Sequence, residues 1–283
     1  MRSRRMTPAA VLAAAMLAWL VPSATAAAPG WTQVSTKATG GISGLAPAPT
    51  GWVVVRDNKK AGQNRIALLS DTGAVTELSW PGAQPTDLEA LSSVPGQPGG
   101  YAALTSAGSG YLLTVSGSVV TVNRSFTVPR GTANIESFTL TQIGDTTVAV
   151  WAVRGSTASP AKVFAAGFSP VTGQFGPVAT GRVTVPYPTS NVRQIADLTT
   201  SGGRLLGSST SDPGASGPFT AALYDLGTVS TTSGRAVLRL QPPVQLGVYD
   251  HKVEGIACSG TTGLLGSDDE KLGGWMRTES FCG

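Results

Sequence analysis

Five side chains able to hold a cation or a charged ligand recur in one sequence setting. They are Ser43, Glu89, Glu136, Arg193 and Glu254. Each follows an apolar residue and stands shortly before another, as in Leu88-Glu89-Ala90-Leu91 and Val253-Glu254-Gly255-Ile256. If these positions converge, three carboxylates and one guanidinium share a small space, which is costly to leave unpaired. The carboxylates then either pair with Arg193 and Lys252 or hold a cation. Calcium suits such a set, because it takes about six to eight oxygen ligands from carboxylates, carbonyls and water. Glu89, Glu136, Glu254 and Ser43 are therefore the candidate metal ligands.

Four further charged residues are candidates for contacting a ligand. Asp268 opens the acidic run Asp268-Asp269-Glu270 and follows a second apolar run, Gly263-Leu264-Leu265-Gly266. Asp57 and Arg154 hold similar places after Trp52–Val55 and Val148–Val153. With Arg193 they form the candidate ligand-binding set. Acidic residues at strand ends are also ordinary turn formers. The one histidine, His251, has no second histidine and no serine in a nucleophile-elbow setting, so it reads as structural or solvated. No catalytic residue is assigned.

The elements that must position these residues are strands. The copies begin at Ile42, Leu88, Ile135, Val192 and Val253, at intervals of 46, 47, 57 and 61 residues. Each continues through a turn to a second apolar run. The first four add a third and a fourth run. Repeats of this period are the signature of propeller blades, each a four-stranded antiparallel sheet. The fifth copy has room for only three strands, and the segment Trp31–Lys37 stands spare before the first copy. The expected fold is all-β: a five-bladed β-propeller closed by an N-terminal strand that completes the last blade. Closure removes exposed sheet edges. The polar stretches Val171–Gly181 and Ser208–Gly217 read as loops within blades.

Residues 1–26 read as a signal peptide: Arg2, Arg4 and Arg5, an apolar run from Ala9 to Val21, then Ala24-Thr25-Ala26 as a cleavage site. Residues 27–283 read as one propeller domain exported to the extracellular side. Without the three leading arginines the chain carries 17 basic against 16 acidic residues, and only 13% of all residues are charged. That balance argues against nucleic acid and anionic membranes as partners. No later stretch is long and apolar enough to span a bilayer. An exported chain with two cysteines is expected to pair them, here Cys258 with Cys282.

The segments Lys252–Ala257, Gly266–Glu270 and Asp87–Leu91 resemble the blade motifs of exported bacterial propellers of the phytase-like (esterase-like) and SdiA-regulated types. There is a more distant likeness to calcium-activated nucleotidases. The resemblance implies a propeller, calcium on Glu89, Glu136 and Glu254, and a phosphoester-hydrolase activity. The chain departs from that pattern in carrying Arg193 and Ser43 at two axial places and in lacking a Lys/Arg/His cluster for phosphate. The expectation is thus a secreted monomer that binds a small molecule or a cell-envelope component at the channel mouth, with calcium and without catalysis. The alternative is a calcium-dependent phosphoester or ester hydrolase using Glu254 and Asp268. An envelope-binding role would instead show an apolar patch on a blade edge.

Overall fold

The glycine in the strand start of blade one has a steric cause. A Cβ added at Gly44 would lie 2.7 Å from Leu91 N and 2.8 Å from Ala90 Cα. The first strands of blades one and two therefore meet backbone to backbone beside the axis. The computed structural model describes residues 30–130 and 134–283. The expected signal peptide and its cleavage site lie outside them.

The chain opens with β1 (Thr32–Ser35). Blade one is β2 (Gly44–Pro47), β3 (Trp52–Val55), β4 (Ile66–Leu69) and β5 (Val75–Leu78). Blade two is β6 (Leu88–Ser93), β7 (Gly100–Thr105), β8 (Ser109–Ser116) and β9 (Val119–Thr127). Blade three is β10 (Ile135–Ile143), β11 (Thr146–Val153) and β12 (Ala161–Ser169), with a fourth strand split into β13 (Gln174–Phe175) and β14 (Ala179–Val183). Blade four is β15 (Val192–Ser201), β16 (Arg204–Ser211), β17 (Ala221–Thr232) and β18 (Arg235–Tyr249). Blade five joins β19 (Val253–Ser259), β20 (Thr262–Asp268) and β21 (Gly274–Glu279) to β1 as its outermost strand. The N-terminal strand thus closes the ring, pairing Thr32 with Met276 and Gln33 with Trp275.

The described core is divided into five apolar clusters, one between each pair of neighbouring blades. Strand alternation produces this. In β11, Val148, Val150 and Ala152 face blade four, while Ala149 and Trp151 face blade two. A strand buried on both faces reads as a continuous apolar run.

Two of the expected loops hold strand. Val171–Gly181 contains β13 and the start of β14, because the free edge of β12 must be paired. Ser208–Ser211 continues β16, whose Ser208, Ser209 and Thr210 pair with Leu223, Ala222 and Ala221. The outer strand β18 is also far longer than its apolar pattern suggests. It follows β17 through two register shifts, one of which takes up Pro242 and Pro243. Beyond those prolines, Val244, Leu246 and Val248 are exposed.

One buried carboxylate joins two blades. Asp197 on β15 accepts the Ile256 N–H of blade five at 2.8 Å and the Leu198 N–H at 2.8 Å. Complete burial raises its pKa well above the ordinary value, and the two N–H donors only partly oppose this. An acid whose folded pKa is raised holds its proton longer when folded. Its contribution to stability is present at low pH and is lost as pH rises from the unfolded value, about 3.9, through the folded value. Asp197→Asn removes that titration. Chemical denaturation of both proteins across this window should show the penalty of Asp197→Asn largest in acid and smaller at neutral pH. A penalty that grows with pH would mean the bridge works as a carboxylate.

Candidate functional site

Asp87, Asn134 and Asn191 immediately precede the first strands of blades two, three and four, and all have positive φ, 65°, 55° and 51°. Asp and Asn tolerate this left-handed geometry better than other residues with a Cβ. Their carbonyls accept the N–H of the residue after the second strand: Ser106 at 3.0 Å, Arg154 at 3.0 Å and Asp212 at 2.8 Å. In blade five the Lys252 carbonyl accepts the N–H of Asp268, the last residue of the second strand, at 3.0 Å. The start of one strand and the end of the next are thereby fixed side by side at one mouth of the channel.

A second device aims the side chains. The strand registers shift between Leu88 and Ala90, between Ile135 and Ser137, and between Val253 and Gly255. The skipped residues are Glu89, Glu136 and Glu254. A bulge re-aims the side chain it carries, and here it places a carboxylate at the mouth in three blades. A longer irregularity follows Arg193 in blade four. In blade one Ser43 lies just before β2, and its Oγ accepts the Asp57 N–H at 3.1 Å.

Arg193 lies among carboxylates. Its Nη1 donates to Glu254 Oε1 at 2.6 Å and Glu136 Oε2 at 3.1 Å, and its Nη2 and Nε donate to Asp212 Oδ2 at 2.7 and 3.2 Å. Burial alone would lower its pKa; the carboxylates outweigh that and raise it. Arg154 Nη1 reaches the other oxygen of Glu136 at 3.3 Å. Lys252, only 2% exposed, lies 3.2 Å from Glu254 and 2.6 Å from Glu270. Glu136 and Glu254 are thus held in ion pairs with Arg193, Arg154 and Lys252.

Glu89 differs from them. It is 8% exposed, and no hydrogen bond or ion pair among the described residues reaches its carboxylate. Burial, then the nearby Glu136, raise its pKa well above the ordinary range. Carboxylate oxygens of Glu89, Asp57 and Asp87 lie within 4.8 Å of one another. Burial, then Glu254, also push the Asp57 carboxyl up. Lys59 Nζ approaches Asp87 at 2.9 Å from a largely exposed position. The loop carrying Asp57 and Lys59 is tied down by the buried Arg65, which donates to the carbonyls of Pro85, Gln63 and Lys60 at 2.6, 2.9 and 3.0 Å.

Asp268 is buried beside the same mouth, with its Oδ1 accepting the Glu270 N–H at 3.0 Å. Burial, then Glu254, raise its pKa well above the ordinary value. Gly41 leaves the room it occupies, since a Cβ there would collide with the carboxylate. His251 is buried between Trp31 and Trp275, at ring distances of 4.4 and 5.0 Å, and its Nδ1 contacts Asp269. Asp269 in turn accepts the Lys252 N–H at 2.8 Å. His251 therefore braces the seam of blade five.

Sequence reasoning missed Asp87 and Asp212 as members of this site. Asp87 precedes the first strand of blade two, and Asp212 follows the second strand of blade four. The Asp/Asn residue preceding three of the five copies was the available signal.

No protein-family model matches the chain, and no curated protein does. Solved structures do. The chain is similar in fold to β-1,2-mannobiose phosphorylase from Listeria innocua, in complex with β-1,2-mannobiose. Identity is 11%, coverage is 91% of this chain and 92% of that one, and the TM-score is 0.51. It is similar also to the GH43 endo-arabinanase from Bacillus licheniformis, at 10% identity, 86% and 94% coverage and a TM-score of 0.51. A weaker likeness joins it to the WD40 domain of Neurospora crassa Pan2, at 11% identity and a TM-score of 0.39. It covers 79% of this chain, and this chain spans 58% of that one. Identities this low speak for the fold alone. The class of the protein is a five-bladed β-propeller with a charged channel mouth.

Proposed function

We propose that this is a secreted, non-catalytic propeller, monomeric, that binds a small molecule or a cell-envelope component at its charged channel mouth. A divalent cation, calcium by the chemistry of the donors, is held there by Asp57, Asp87 and Glu89. One observation carries the reading: Glu89 is a buried carboxylate with no partner among the described residues, beside two further carboxylates. Such a group is costly unless neutralised. Three carboxylates fill part of a calcium shell and leave places for oxygen atoms of water or ligand. Ser43 acts by positioning Asp57, and Arg193 and Arg154 complete the mouth with guanidinium donors.

Secretion is supported by the sequence of residues 1–26 and by the Cys258–Cys282 disulfide. No helix among the described residues is long and apolar enough to cross a membrane. The hydrolase reading, and with it the phytase-like resemblance, is less well supported. It needs Glu254 and Asp268 free to serve a bound metal, whereas Glu254 is engaged by Arg193 and Lys252.

The test is calorimetric titration with calcium, together with the thermal midpoint with calcium and with chelator. A ligand specific to the folded state stabilises by about 2.7 kcal/mol at a hundredfold excess over its dissociation constant. A saturable site should appear in the wild type and in Glu136→Gln and disappear in Glu89→Gln. Lys59→Met should bind calcium more tightly, since the ammonium competes for Asp87. Unchanged binding in Glu89→Gln would remove the cation from this place.

A further inference from the structure

A second charged concavity lies away from the axis, along the seam where β1 meets blade one. It is a groove of about 570 Å3 lined by Ser35, Thr36, Lys37, Thr39, Arg56 and Glu77, with Val34 and Val75 among its apolar walls. Arg56 follows β3 directly and is 5% exposed. Strand alternation sends it to the opposite side from Asp57, away from the carboxylates of the mouth.

The guanidinium of Arg56 is incompletely satisfied. Its Nη1 donates to Asn64 Oδ1 at 3.1 Å and to Glu77 Oε1 at 3.3 Å. Its Nε is buried with no acceptor among the described residues. The Glu77 side chain is 67% exposed, and pairs with so exposed a carboxylate contribute little. A buried donor left without an acceptor carries its desolvation penalty undiminished. Burial accordingly lowers the Arg56 pKa despite its hydrogen bond to Glu77. Lys37 adds a second cation to the groove, against the single carboxylate of Glu77. Thr36 and Thr39 add hydroxyls, neutral donors of the kind that surround bound oxyanions.

We propose that this groove is an oxyanion site in which Arg56 is the principal ligand and Lys37 a secondary one. It takes a carboxylate, phosphate or sulfate group, planar or tetrahedral, whose oxygens a guanidinium fork matches. Glu77 is the internal competitor, turned outward when an anion enters. The site shares no lining residue with the cation cluster and stands or falls separately from it.

The experiment is calorimetric titration of the full protein with inorganic phosphate, sulfate and acetate at matched ionic strength. At least one of the three should bind saturably in the millimolar range, and which one does so distinguishes phosphate, sulfate and carboxylate ligands. Arg56→Lys should weaken that binding about tenfold, equivalent to about 1.4 kcal/mol. Lys37→Ala should weaken it several-fold and Glu77→Gln should tighten it, and both sites are exposed enough to change without unfolding the protein. Glu89→Gln should leave it unchanged. Absence of saturable binding for all three anions, or tightening absent in Glu77→Gln, would overturn the assignment.

Discussion

Arg193→Met is expected to destabilise the protein by about 3–5 kcal/mol, the range for removing one partner of a buried ion pair. In a domain of this size that lowers the thermal midpoint by roughly 10 °C. The loss does not come from the pair's own attraction. Glu136 and Glu254, 3% and 4% exposed, keep their burial while the guanidinium that joins them is gone. Arg154 and Lys252 remain, so the carboxylates are left partly compensated, which sets the effect below that of an isolated buried charge. Replacing Glu136 and Glu254 by glutamine in the Arg193→Met background should recover part of the loss, because residues sharing one network couple by about 0.5–3 kcal/mol. Denaturant titrations of the single, double and triple variants measure this. The same substitution has a second readout. It frees the oxygens of Glu136 and Glu254 that Arg193 held, so calcium should then find a further site at the axis in addition to the one on Asp57, Asp87 and Glu89. A loss below about 1 kcal/mol would mean that water enters the mouth and screens these charges.

That network also shows what a sequence can and cannot disclose here. The five strand starts were legible because all of them pack around one axis and carry apolar residues at the same spacing. In blade one Gly44 faces the backbone of Ala90 and Leu91, and the apolar residues around it fill two inter-blade clusters. The spare first strand was legible because the fifth copy is one strand short. Strand ends were not. β18 runs to 15 residues through two prolines because β17 offers it a partner, and no local pattern announces a partner.

The site divides in the same way. A charge repeated at one place in four blades implies convergence on an axis. Which carboxylate meets a cation depends on which blade carries the arginine and on residues outside the repeat. Glu136 is neutralised by Arg193 from the next blade and by Arg154 from its own, whereas Ser106 holds the corresponding place beside Glu89, where Arg154 stands beside Glu136. The difference between the paired Glu136 and Glu89 thus lies at two places: Ser106 stands where Arg154 does, and Glu136 stands where Arg193 does. Asp87 was quoted within a blade motif, yet its role follows from a left-handed backbone that only the fold displays. Symmetry of the fold made the ring visible, and the departures from symmetry make the site.

Removal of the disulfide is the second change of large expected effect. Cys258 and Cys282 are joined across a sequence separation of 24, and closing a loop of that length stabilises by about 3.5 kcal/mol in the chain-entropy model. The location adds to the argument. Cys258 ends the innermost part of blade five, and the residues after β21 lie over the joint with blade four. Phe281 packs with Leu206, Leu223 and Tyr249, Ser201 Oγ donates to the Cys282 carbonyl, and Arg204 Nη1 donates to the Gly283 carbonyl at 2.6 Å. The bond therefore holds a strap across two blades next to the place where β1 closes the ring. In the paired Cys258→Ala, Cys282→Ala variant, urea unfolding should give a loss of about 3.5 kcal/mol. The dependence on denaturant should steepen, because the unfolded chain is released from its loop and exposes more surface. Hydrogen exchange should rise first in the strap and at the β1–β21 pairing and last in blade two, which is remote from the seam. A uniform rise in all five blades would assign the bond's effect to the unfolded chain alone. A rise confined to the seam would show that the ring opens there before it unfolds.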